Sequence, residues 1–313
     1  MDDGSGVNTT KRNNYQPESS VATTKTLYDT THTNNEVSEL LDNSQNNYSS
    51  SSDEVSYITN FTNTILKECG FISGGRGSGK SRLGMLLTNI LLANGVMVKV
   101  MDSSRQWLKH SSVPTYYTIP IPKYGGYIAY WDLPNLWNTI YDCSRLSTIE
   151  LTELVKGMMK EDFQEAVTLD EQGTPQRACY IFEESQNLIP SGSLRRNDYQ
   201  EVNRFVTQGR NYGLSYIAIT QRLATTDTTL VELSGVKFFG KVEGENTVRK
   251  AKAWVNKKLL ETSRDFPVGR FIVQHGTRAK IEQFPCFRTN HKPTQHTEPK
   301  PEKRGFWARL LGG

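Results

Sequence analysis

Apolar runs alternate with helical patterns along the middle of the chain, from about residue 58 to residue 288. Residues 69–73 have the pattern of a short buried strand, and residues 80–93 have helical spacing with Gly95 beyond their end. Further buried strands are predicted at residues 96–101, 179–182, 215–220 and 236–240. The segments between these runs are long enough for crossover helices, so the pattern predicts an α/β domain with a mainly parallel sheet.

Two more predicted strands close the patterned region. They cover residues 269–274 and 279–284, and a short turn at Gly276 joins them. Because strands with so short a connection pair with each other antiparallel, we expect a C-terminal β-hairpin on the sheet. No internal repeat has the period of a solenoid or a propeller.

The two ends of the chain differ in composition from the middle. Residues 1–57 are rich in Ser, Thr, Asn and acidic residues, and they contain few large apolar ones. Ordering them would bury too little surface to offset the lost entropy, so we expect disorder. Residues 289–313 begin with prolines among charges and end in a short basic amphipathic tail, which predicts a linker. The expected organisation is a polar acidic tail at 1–57, one compact domain at 58–288, and a Pro-rich linker with its tail at 289–313.

The formal charge of +4 is distributed unevenly. The first 56 residues hold nine acidic and three basic residues, which leaves about +10 on the rest of the chain. Such a basic body suits a phosphate-rich partner, although a solvated Lys-rich surface has the same composition.

The cysteine pattern and the hydropathy indicate a cytosolic setting. The four cysteines have no CxxC spacing, so neither a disulfide framework nor a zinc site is indicated. The amino terminus is polar and lacks the pattern of a secretory signal. The longest apolar stretches are too short to cross a bilayer.

A glycine-rich segment between the first predicted strand and helix matches the pattern GxxxxGK[ST] in full. Its residues are Gly74, Gly75, Arg76, Gly77, Ser78, Gly79, Lys80 and Ser81. The glycines let the backbone curl, so that its N–H groups and the helix N-terminus point at a phosphate. Lys80 would supply a point charge to the phosphates, and Ser81 a hydroxyl to Mg²⁺. The segment predicts an ATP and Mg²⁺ site, which by itself could serve a kinase, a switch GTPase or a motor.

Two carboxylates follow the predicted strand at residues 179–182. Glu183 and Glu184 are expected at the carboxyl edge of the sheet, where ligands of open α/β sheets bind. Glu183 is placed to hold Mg²⁺ through water, and Glu184 to polarise an attacking water. Motor ATPases usually have Asp at the first position, which leaves open which carboxylate does which task. Two surface acids at the start of a helix are the alternative interpretation.

Two longer segments carry a resemblance to a known family. Residues 180–190, Tyr-Ile-Phe-Glu-Glu-Ser-Gln-Asn-Leu-Ile-Pro, resemble the hhhhDEAHNL stretch of HerA-like ATPases. Residues 207–222 resemble that family's block of an arginine, a strand and a glutamine. The resemblance to HerA/FtsK-superfamily P-loop ATPases covers roughly residues 70–284 and implies a RecA-like fold. It also implies that ATP lies between subunits of a ring, with Arg210 reaching the neighbour's nucleotide and Gln221 in the polar sensor position.

The same resemblance implies partners. They are double-stranded DNA, contacted through its backbone without base reading, and further copies of the chain in a homo-hexamer. Arg195 and Arg196, in the polar loop after the acidic pair, are the first candidates for gripping the backbone. A basic cluster between residues 249 and 258 is the second, and a solvated helix face explains it equally well.

The segments before and after the motifs indicate which type of motor the chain resembles. HerA-type repair translocases carry a β-barrel domain before the phosphate loop, and FtsK-type motors carry membrane spans and an end domain. Here only the polar tail precedes residue 70, and no folded segment is predicted after residue 287. The chain therefore resembles the genome-packaging ATPases of membrane-containing tailless double-stranded DNA viruses. We expect it in the host cytoplasm or in the virion.

The last residues of the chain are a candidate contact with a larger assembly. Residues 303–312 combine aromatic and aliphatic groups with cations. This composition suits docking to a capsid vertex or to a membrane surface. A frayed, solvated end has the same composition.

Three other functions share parts of the pattern. One is a HerA-like translocase or helicase that works with a nuclease in DNA end processing or defence. Another is a nucleotide-dependent assembly or export protein of the filamentous-phage type, which usually carries a membrane span. The third is a small-molecule kinase, which would need neither a ring nor DNA.

Overall fold

The computed structural model describes residues 61–111, 113–119, 135–284 and 294–295. Their strands are β1 Gly70–Ser73, β2 Met97–Asp102, β3 Thr115–Thr118, β4 Thr139–Asp142, β5 Ala178–Phe182, β6 Leu214–Thr220, β7 Val236–Phe239, β8 Arg270–His275, β9 Arg278–Gln283 and β10 Thr294–Gln295. They form one ten-stranded sheet in the order β10-β3-β4-β2-β5-β6-β1-β7-β8-β9. All neighbours from β10 to β7 are parallel, whereas β8 and β9 are antiparallel.

Helices connect most of these strands. They are α1 Lys80–Ala93, α2 Trp107–His110, α3 Thr148–Glu171, α4 Ser185–Leu188, α5 Gln200–Gln208, α6 Thr228–Glu232, α7 Glu245–Ala251 and α8 Lys257–Thr262. Residues 61–68 are helical as well. The longest helix, α3, begins at a capping box in which Ser147 and Glu150 satisfy each other's backbone N–H groups. Within the described ranges, every helix is too short or too polar to span a lipid bilayer.

The predicted fold class is confirmed. The domain is α/β with a mainly parallel central sheet and a hairpin of β8 and β9 at its carboxyl-terminal end. Helix α1 has the predicted bounds, and the predicted strands agree with β1, β2, β5, β6 and β7 to within a residue. The short strands β3, β4 and β10 were not predicted. The predicted tail at residues 1–57 and the basic end at 303–312 lie outside the described residues, and the domain boundaries stay predictions.

The core lies on both faces of the sheet. Along β5, Cys179 and Ile181 point to the face that α1 covers, whereas Tyr180 and Phe182 point to the face that α3 and α5 cover. Because both faces are buried, the parallel strands read as continuous apolar runs rather than as alternating ones.

Strand order decides where the functional segments meet. The glycine-rich loop follows β1, the acidic pair follows β5, and β6 lies between these two strands. All three strands are parallel, so their carboxyl ends share one edge of the sheet. This edge is where open α/β sheets bind ligands.

A buried ion pair ties α3 to the sheet. Lys99 Nζ lies 2.5 Å from Asp162 Oδ2, and neither side chain is accessible to solvent. Asp162 also accepts hydrogen bonds from Tyr180 Oη and, at 2.9 Å, from Asn135 Nδ2. The ring of Trp137 covers the ammonium at 3.8 Å. Burial lowers the pKa of Lys99, and the charge of Asp162 opposes that shift.

Removing one partner of this pair should be costly. Asp162→Ala leaves an uncompensated ammonium in the core, so we expect the free energy of unfolding to fall by about 3–5 kcal/mol. Urea unfolding followed by circular dichroism measures this loss. The control is Glu261→Ala, which breaks an exposed 3.5 Å pair with Lys257 and should cost less than about 1 kcal/mol. Similar small losses in the two variants would contradict a desolvated Lys99.

Candidate nucleotide-binding site

The loop between β1 and α1 has a backbone that requires glycine. Gly77 and Gly79 have φ angles of 76° and 94°, in the left-handed region that side chains disfavour. Gly79 directly precedes the first residue of α1, so the helix N-terminus opens onto the loop. The predicted phosphate-binding segment therefore has the strand, curled loop and helix that phosphate binding needs.

Lys80 points into this loop. Its side chain is buried, and Nζ donates a hydrogen bond of 3.0 Å to the carbonyl oxygen of Gly75. Burial lowers the pKa of Lys80, while the charges of Glu184, Glu183 and Glu243 raise it. The loop thus holds a cation among three carboxylates, at the place where an anionic ligand would meet it.

Ser81 and Glu183 lie side by side. Ser81 Oγ donates a hydrogen bond of 2.8 Å to Glu183 Oε1, and Trp107 Nε1 donates one of 2.8 Å to Oε2. Burial raises the pKa of Glu183 to about 7, and the hydrogen bonds from Trp107 and Ser81 lower it. The two residues predicted to hold Mg²⁺ are therefore brought together across 102 positions of sequence.

The donor set suits Mg²⁺. A hydroxyl and a carboxylate offer hard oxygen ligands on neighbouring atoms. Among the described residues, no group of three or more His, Cys, Asp or Glu side chains could enclose a metal ion. Mg²⁺ usually keeps several waters and takes one or two protein oxygens together with substrate phosphates, so a sparse protein shell fits it.

Glu184 has an unusual backbone and a fixed side chain. Its φ and ψ of 56° and 53° are left-handed, a conformation that costs free energy for a residue other than glycine. Gln186 Nε2 donates a hydrogen bond of 2.6 Å to Glu184 Oε2, and Thr220 Oγ1 donates one of 2.5 Å to Gln186 Oε1. The end of β6 thus orients the carboxylate, which can accept a proton or a hydrogen bond from water.

Gln221 lies at the same edge of the sheet. It is exposed and directly follows β6, whose last carbonyl, that of Thr220, accepts a 3.3 Å hydrogen bond from Gly74 N–H. The strand order places this position between the acidic pair and the glycine-rich loop.

Arg210 is not brought together with these residues. It is exposed in the 3-10 turn Gly209–Tyr212, directly before β6, and it lies near Cys69 just before β1. Both positions are at the amino edge of the sheet. The seven residues of β6 separate this edge from the carboxyl edge by roughly 20 Å. Arg210 therefore cannot reach the loop of its own chain.

The two arginines proposed to contact DNA differ in their environment. Arg196 makes two hydrogen bonds to Asp198, of 2.9 and 2.7 Å, and its guanidinium lies over the ring of Tyr199. Arg195 is exposed and has no ion pair with the described residues. Of the two, Arg195 is the one whose charge is available to a partner. In the second basic cluster, Lys250 donates to backbone carbonyls, whereas the other four cations are exposed, namely Arg249, Lys252, Lys257 and Lys258.

Sequence reasoning missed a loop that covers the phosphate-binding segment. Gly75 N–H donates a hydrogen bond of 2.6 Å to the carbonyl of Lys241, just after β7. A Cβ on Gly75 would lie 2.6 Å from the carboxyl carbon of Glu243. A shallow groove of about 390 Å³ follows, lined by Lys241, Val242, Glu243, Gly244, Glu245 and Arg264. No motif marks these residues, so the sequence offered no signal for them.

Trp107, Gln186 and Thr220 were also missed. Gln186 stands inside the segment that carries the resemblance, and its position two residues after Glu184 was an available signal. Trp107 begins a four-residue helix after β2, and nothing in the sequence links it to Glu183.

Comparisons with known proteins bear on the fold. No family model matches the sequence, and no curated protein matches it. The genome-packaging NTPase B204 from Sulfolobus turreted icosahedral virus 2, in complex with AMPPCP, superposes with a TM-score of 0.52 at 15% identity, covering 71% of this chain and 100% of that one. The ATP-gammaS complex gives 0.51 at 14%, covering 71% and 99%.

A further solved structure is similar over most of the domain. VirB4 of Thermoanaerobacter pseudethanolicus has a TM-score of 0.48 at 11% identity, covering 69% of this chain and 88% of that one. The two B204 structures superpose on 71% of this chain with TM-scores above 0.5. This chain therefore shares the P-loop NTPase fold of B204.

Proposed function

We propose that this chain is an ATP-driven motor that moves double-stranded DNA and packages a viral genome into a preformed capsid. The observation that carries the proposal is the separation of its functional groups. Lys80, Ser81, Glu183 and Glu184 meet at the carboxyl edge of the sheet, while Arg210 is exposed at the amino edge. An arginine in that place can complete a nucleotide site only on a neighbouring subunit.

Hydrolysis would use the groups at the carboxyl edge. The loop N–H groups and Lys80 would bind the β- and γ-phosphates of ATP, and Ser81 and Glu183 would hold Mg²⁺. Bound Mg²⁺ would neutralise charge on the phosphate oxygens. Glu184 would orient the attacking water and accept its proton as the water oxygen bonds to the γ-phosphorus, the bond to the bridging oxygen breaks and ADP leaves. Gln221 would contact the γ-phosphate. The groove beside Lys241 and Arg264 adjoins the loop through the hydrogen bond between Gly75 and Lys241, and we propose that the nucleoside lies there.

The proposal of a ring of subunits rests on the position of Arg210. A guanidinium from the next subunit would stabilise charge on the transferring phosphoryl group and would couple neighbouring sites. In a head-to-tail contact, each subunit uses one surface towards the preceding subunit and a different surface towards the next. Such contacts form a closed ring when the rotation between neighbouring subunits is an integral fraction of a full turn. We propose a homo-hexamer, as in the HerA/FtsK motors that the sequence resembles.

DNA would be held by its phosphates. The exposed Arg195 has no ion pair with the described residues and follows the acidic pair, so movement of its loop could be coupled to hydrolysis. The likeness in fold to a protein described as a genome-packaging NTPase supports packaging as the task. The proposed C-terminal contact with a capsid vertex or membrane surface involves residues 303–312.

The most informative experiment measures the ATPase rate with and without mixed-sequence duplex DNA, together with the mass of the particle. We expect the rate to rise with DNA and the mass to be a multiple of the 35.4 kDa chain. Arg195→Ala should weaken DNA binding and reduce the slope of log affinity against log salt by about one. The matched control Arg196→Ala should change binding less, because Asp198 already neutralises that arginine.

The outcomes separate the alternatives. A monomer whose rate ignores DNA would contradict the motor and would favour a small-molecule kinase. A DNA-stimulated ring that co-purifies with a nuclease and does not associate with capsids would favour a HerA-like role in end processing or defence. Capsid association of the DNA-stimulated ring supports packaging.

A further inference from the structure

We propose that Trp107 is a positioning residue that leaves one oxygen of Glu183 to bind the metal ion, directly rather than through the water expected from the sequence, and thereby selects Mg²⁺ over Ca²⁺. The inference rests on the proposed ATPase function, because it concerns the metal that accompanies the nucleotide. It also explains how a glutamate can stand where motor ATPases usually carry an aspartate.

The two oxygens of Glu183 are used differently. Both accept a hydrogen bond of 2.8 Å, Oε1 from the hydroxyl of Ser81 at the end of the phosphate-binding loop and Oε2 from the indole of Trp107. The hydroxyl proton of Ser81 can rotate away when a cation takes both oxygens, whereas the indole N–H is fixed on its ring. A carboxylate oxygen that accepts an N–H in a buried site is unavailable to a metal ion on the same side. Only Oε1 is therefore presented beside Ser81.

The indole is itself fixed in place. Trp107 is fully buried, and its backbone N–H donates a 3.0 Å hydrogen bond to Asp102 Oδ2 at the end of β2. Asp102 Oδ1 accepts from the N–H and the hydroxyl of Ser104, so the connection between β2 and α2 is held on both sides. A Cβ on Gly84 of α1 would lie 2.5 Å from Ile219 Cδ1 and 3.3 Å from Trp107 Cζ2, so glycine at this position leaves room for both side chains.

One-oxygen coordination favours the smaller ion. Mg²⁺ demands near-octahedral geometry and is usually held by one or two carboxylate oxygens, with waters and substrate phosphates. Ca²⁺ accepts six to eight oxygens in flexible geometry and readily takes both oxygens of one carboxylate. Groups that hold a metal ligand by hydrogen bonds commonly tune metal affinity in this way. Because Trp107 holds Oε2 of Glu183 by a hydrogen bond, Ca²⁺ could not bind both oxygens of this carboxylate.

The test is binding of a fluorescent non-hydrolysable ATP analogue to the full chain in EDTA, in a Mg²⁺ series and in a Ca²⁺ series. Trp107→Phe keeps an aromatic ring but removes the N–H. We expect half-saturating Mg²⁺ to rise about tenfold, the effect of losing one hydrogen bond to a charged group. The Ca²⁺ requirement should rise less or fall, so that selectivity for Mg²⁺ drops, and affinity in EDTA should stay unchanged.

The matched control is Trp137→Phe. It makes the same change at a partly buried tryptophan that packs with the cluster on the other face of the sheet, and it should leave both metal series unchanged. Thermal unfolding of the two variants separates loss of stability from loss of metal selectivity. If Trp107→Phe weakens binding equally in EDTA, Mg²⁺ and Ca²⁺, the role is structural and the inference is wrong.

A second variant does not depend on removing a core tryptophan. Glu183→Asp introduces the residue that motor ATPases usually carry. Its side chain is one methylene shorter, so we expect it to lose the hydrogen bond from Ser81 or the one from Trp107. We expect weaker Mg²⁺ binding than in the parent, and little further loss when Trp107→Phe is added. An unchanged or tighter Mg²⁺ requirement would overturn the inference. A parent chain that binds the analogue under none of these conditions would instead overturn the proposed function and this inference with it.

Discussion

Lys80→Ala is expected to abolish ATP turnover, with a loss on the order of 10³-fold in kcat. The ammonium is the cation that the loop holds for the β- and γ-phosphates, and it already lies within hydrogen-bonding distance of the loop backbone. Alanine removes the charge and leaves the rest of the loop in place, because its glycines set the backbone conformation. Phosphate release at saturating ATP measures the change.

The charges around Lys80 lead us to expect a loss of nucleotide affinity in the same variant. Burial lowers the pKa of its ammonium, and Glu184, Glu183 and Glu243 counteract that shift. Without the lysine, three carboxylates would face the triphosphate with no cation from the loop interior. Nucleotide affinity should therefore fall together with turnover, since like charges in a partly desolvated site repel strongly.

Lys67→Ala is the matched control for this variant. It deletes the same charged group from an exposed position before β1, at the opposite edge of the sheet. Turnover and nucleotide affinity should stay at the level of the unaltered chain. Retained hydrolysis in Lys80→Ala would refute the nucleotide site itself, and a comparable loss in Lys67→Ala would point to misfolding instead.

The parts of the site that sequence could predict are local. A strand, a glycine-rich turn and a helix occupy consecutive residues, so Lys80 and Ser81 were placed by spacing alone. The acidic pair could be placed because it directly follows an apolar run that became β5. Roles for Arg210 and Gln221 were predicted only from the resemblance. An arginine before a strand and a glutamine after it do not by themselves indicate a function.

The parts that could not be predicted depend on tertiary contacts. Trp107 and Glu183 are 76 positions apart and meet only because β2 and β5 are neighbours in the sheet. The loop after β7 reaches Gly75 for the same reason, because β7 is paired with β1. Periodicity carries no information about which strands become neighbours.

The short strands illustrate another limit. β4 has four residues, all buried, and β3 has four that are mostly half-buried and rich in tyrosine and threonine. Runs this short fit a strand, a turn or a piece of helix equally well. By contrast, the pairing of Arg196 with Asp198 is local and could have been noticed from two opposite charges two positions apart.

Arg210→Ala is expected to stop hydrolysis while leaving nucleotide binding nearly intact. The guanidinium lies at the amino edge of the sheet, so it contributes nothing to the loop that binds ATP in its own chain. If the next subunit's nucleotide is its target, it acts only when charge develops on the transferring phosphoryl group. Loss of such an arginine costs about 10³–10⁵ in kcat. Arg177→Ala, which removes an exposed arginine just before the neighbouring β5, is the matched control and should stay active.

Rings mixed from two inactive variants also test whether Arg210 acts on the neighbouring subunit's nucleotide. Here the expected result is a recovery of hydrolysis rather than a loss. Arg210→Ala subunits keep Glu184, and Glu184→Gln subunits keep Arg210, so each protein alone should be inactive. Wherever an Arg210→Ala subunit binds ATP against a Glu184→Gln neighbour that supplies the arginine, the shared site has both groups. In rings assembled from equal amounts, about a quarter of the interfaces should be of this kind if the contact is head-to-tail. Turnover should therefore reappear on mixing.

The reappearance distinguishes catalysis between subunits from every arrangement within one subunit. If both groups acted on the nucleotide of their own chain, each protomer in a mixed ring would still lack one of them, and mixing would restore nothing. Mixed rings of verified composition that stay inactive would thus contradict a site completed by a neighbour, and the proposed coupling of hydrolysis to DNA movement around the ring would lose its structural basis. Recovery that depends on the mixing ratio, greatest near equal amounts, is the result that the positions of Arg210 and Glu184 in the fold lead us to expect.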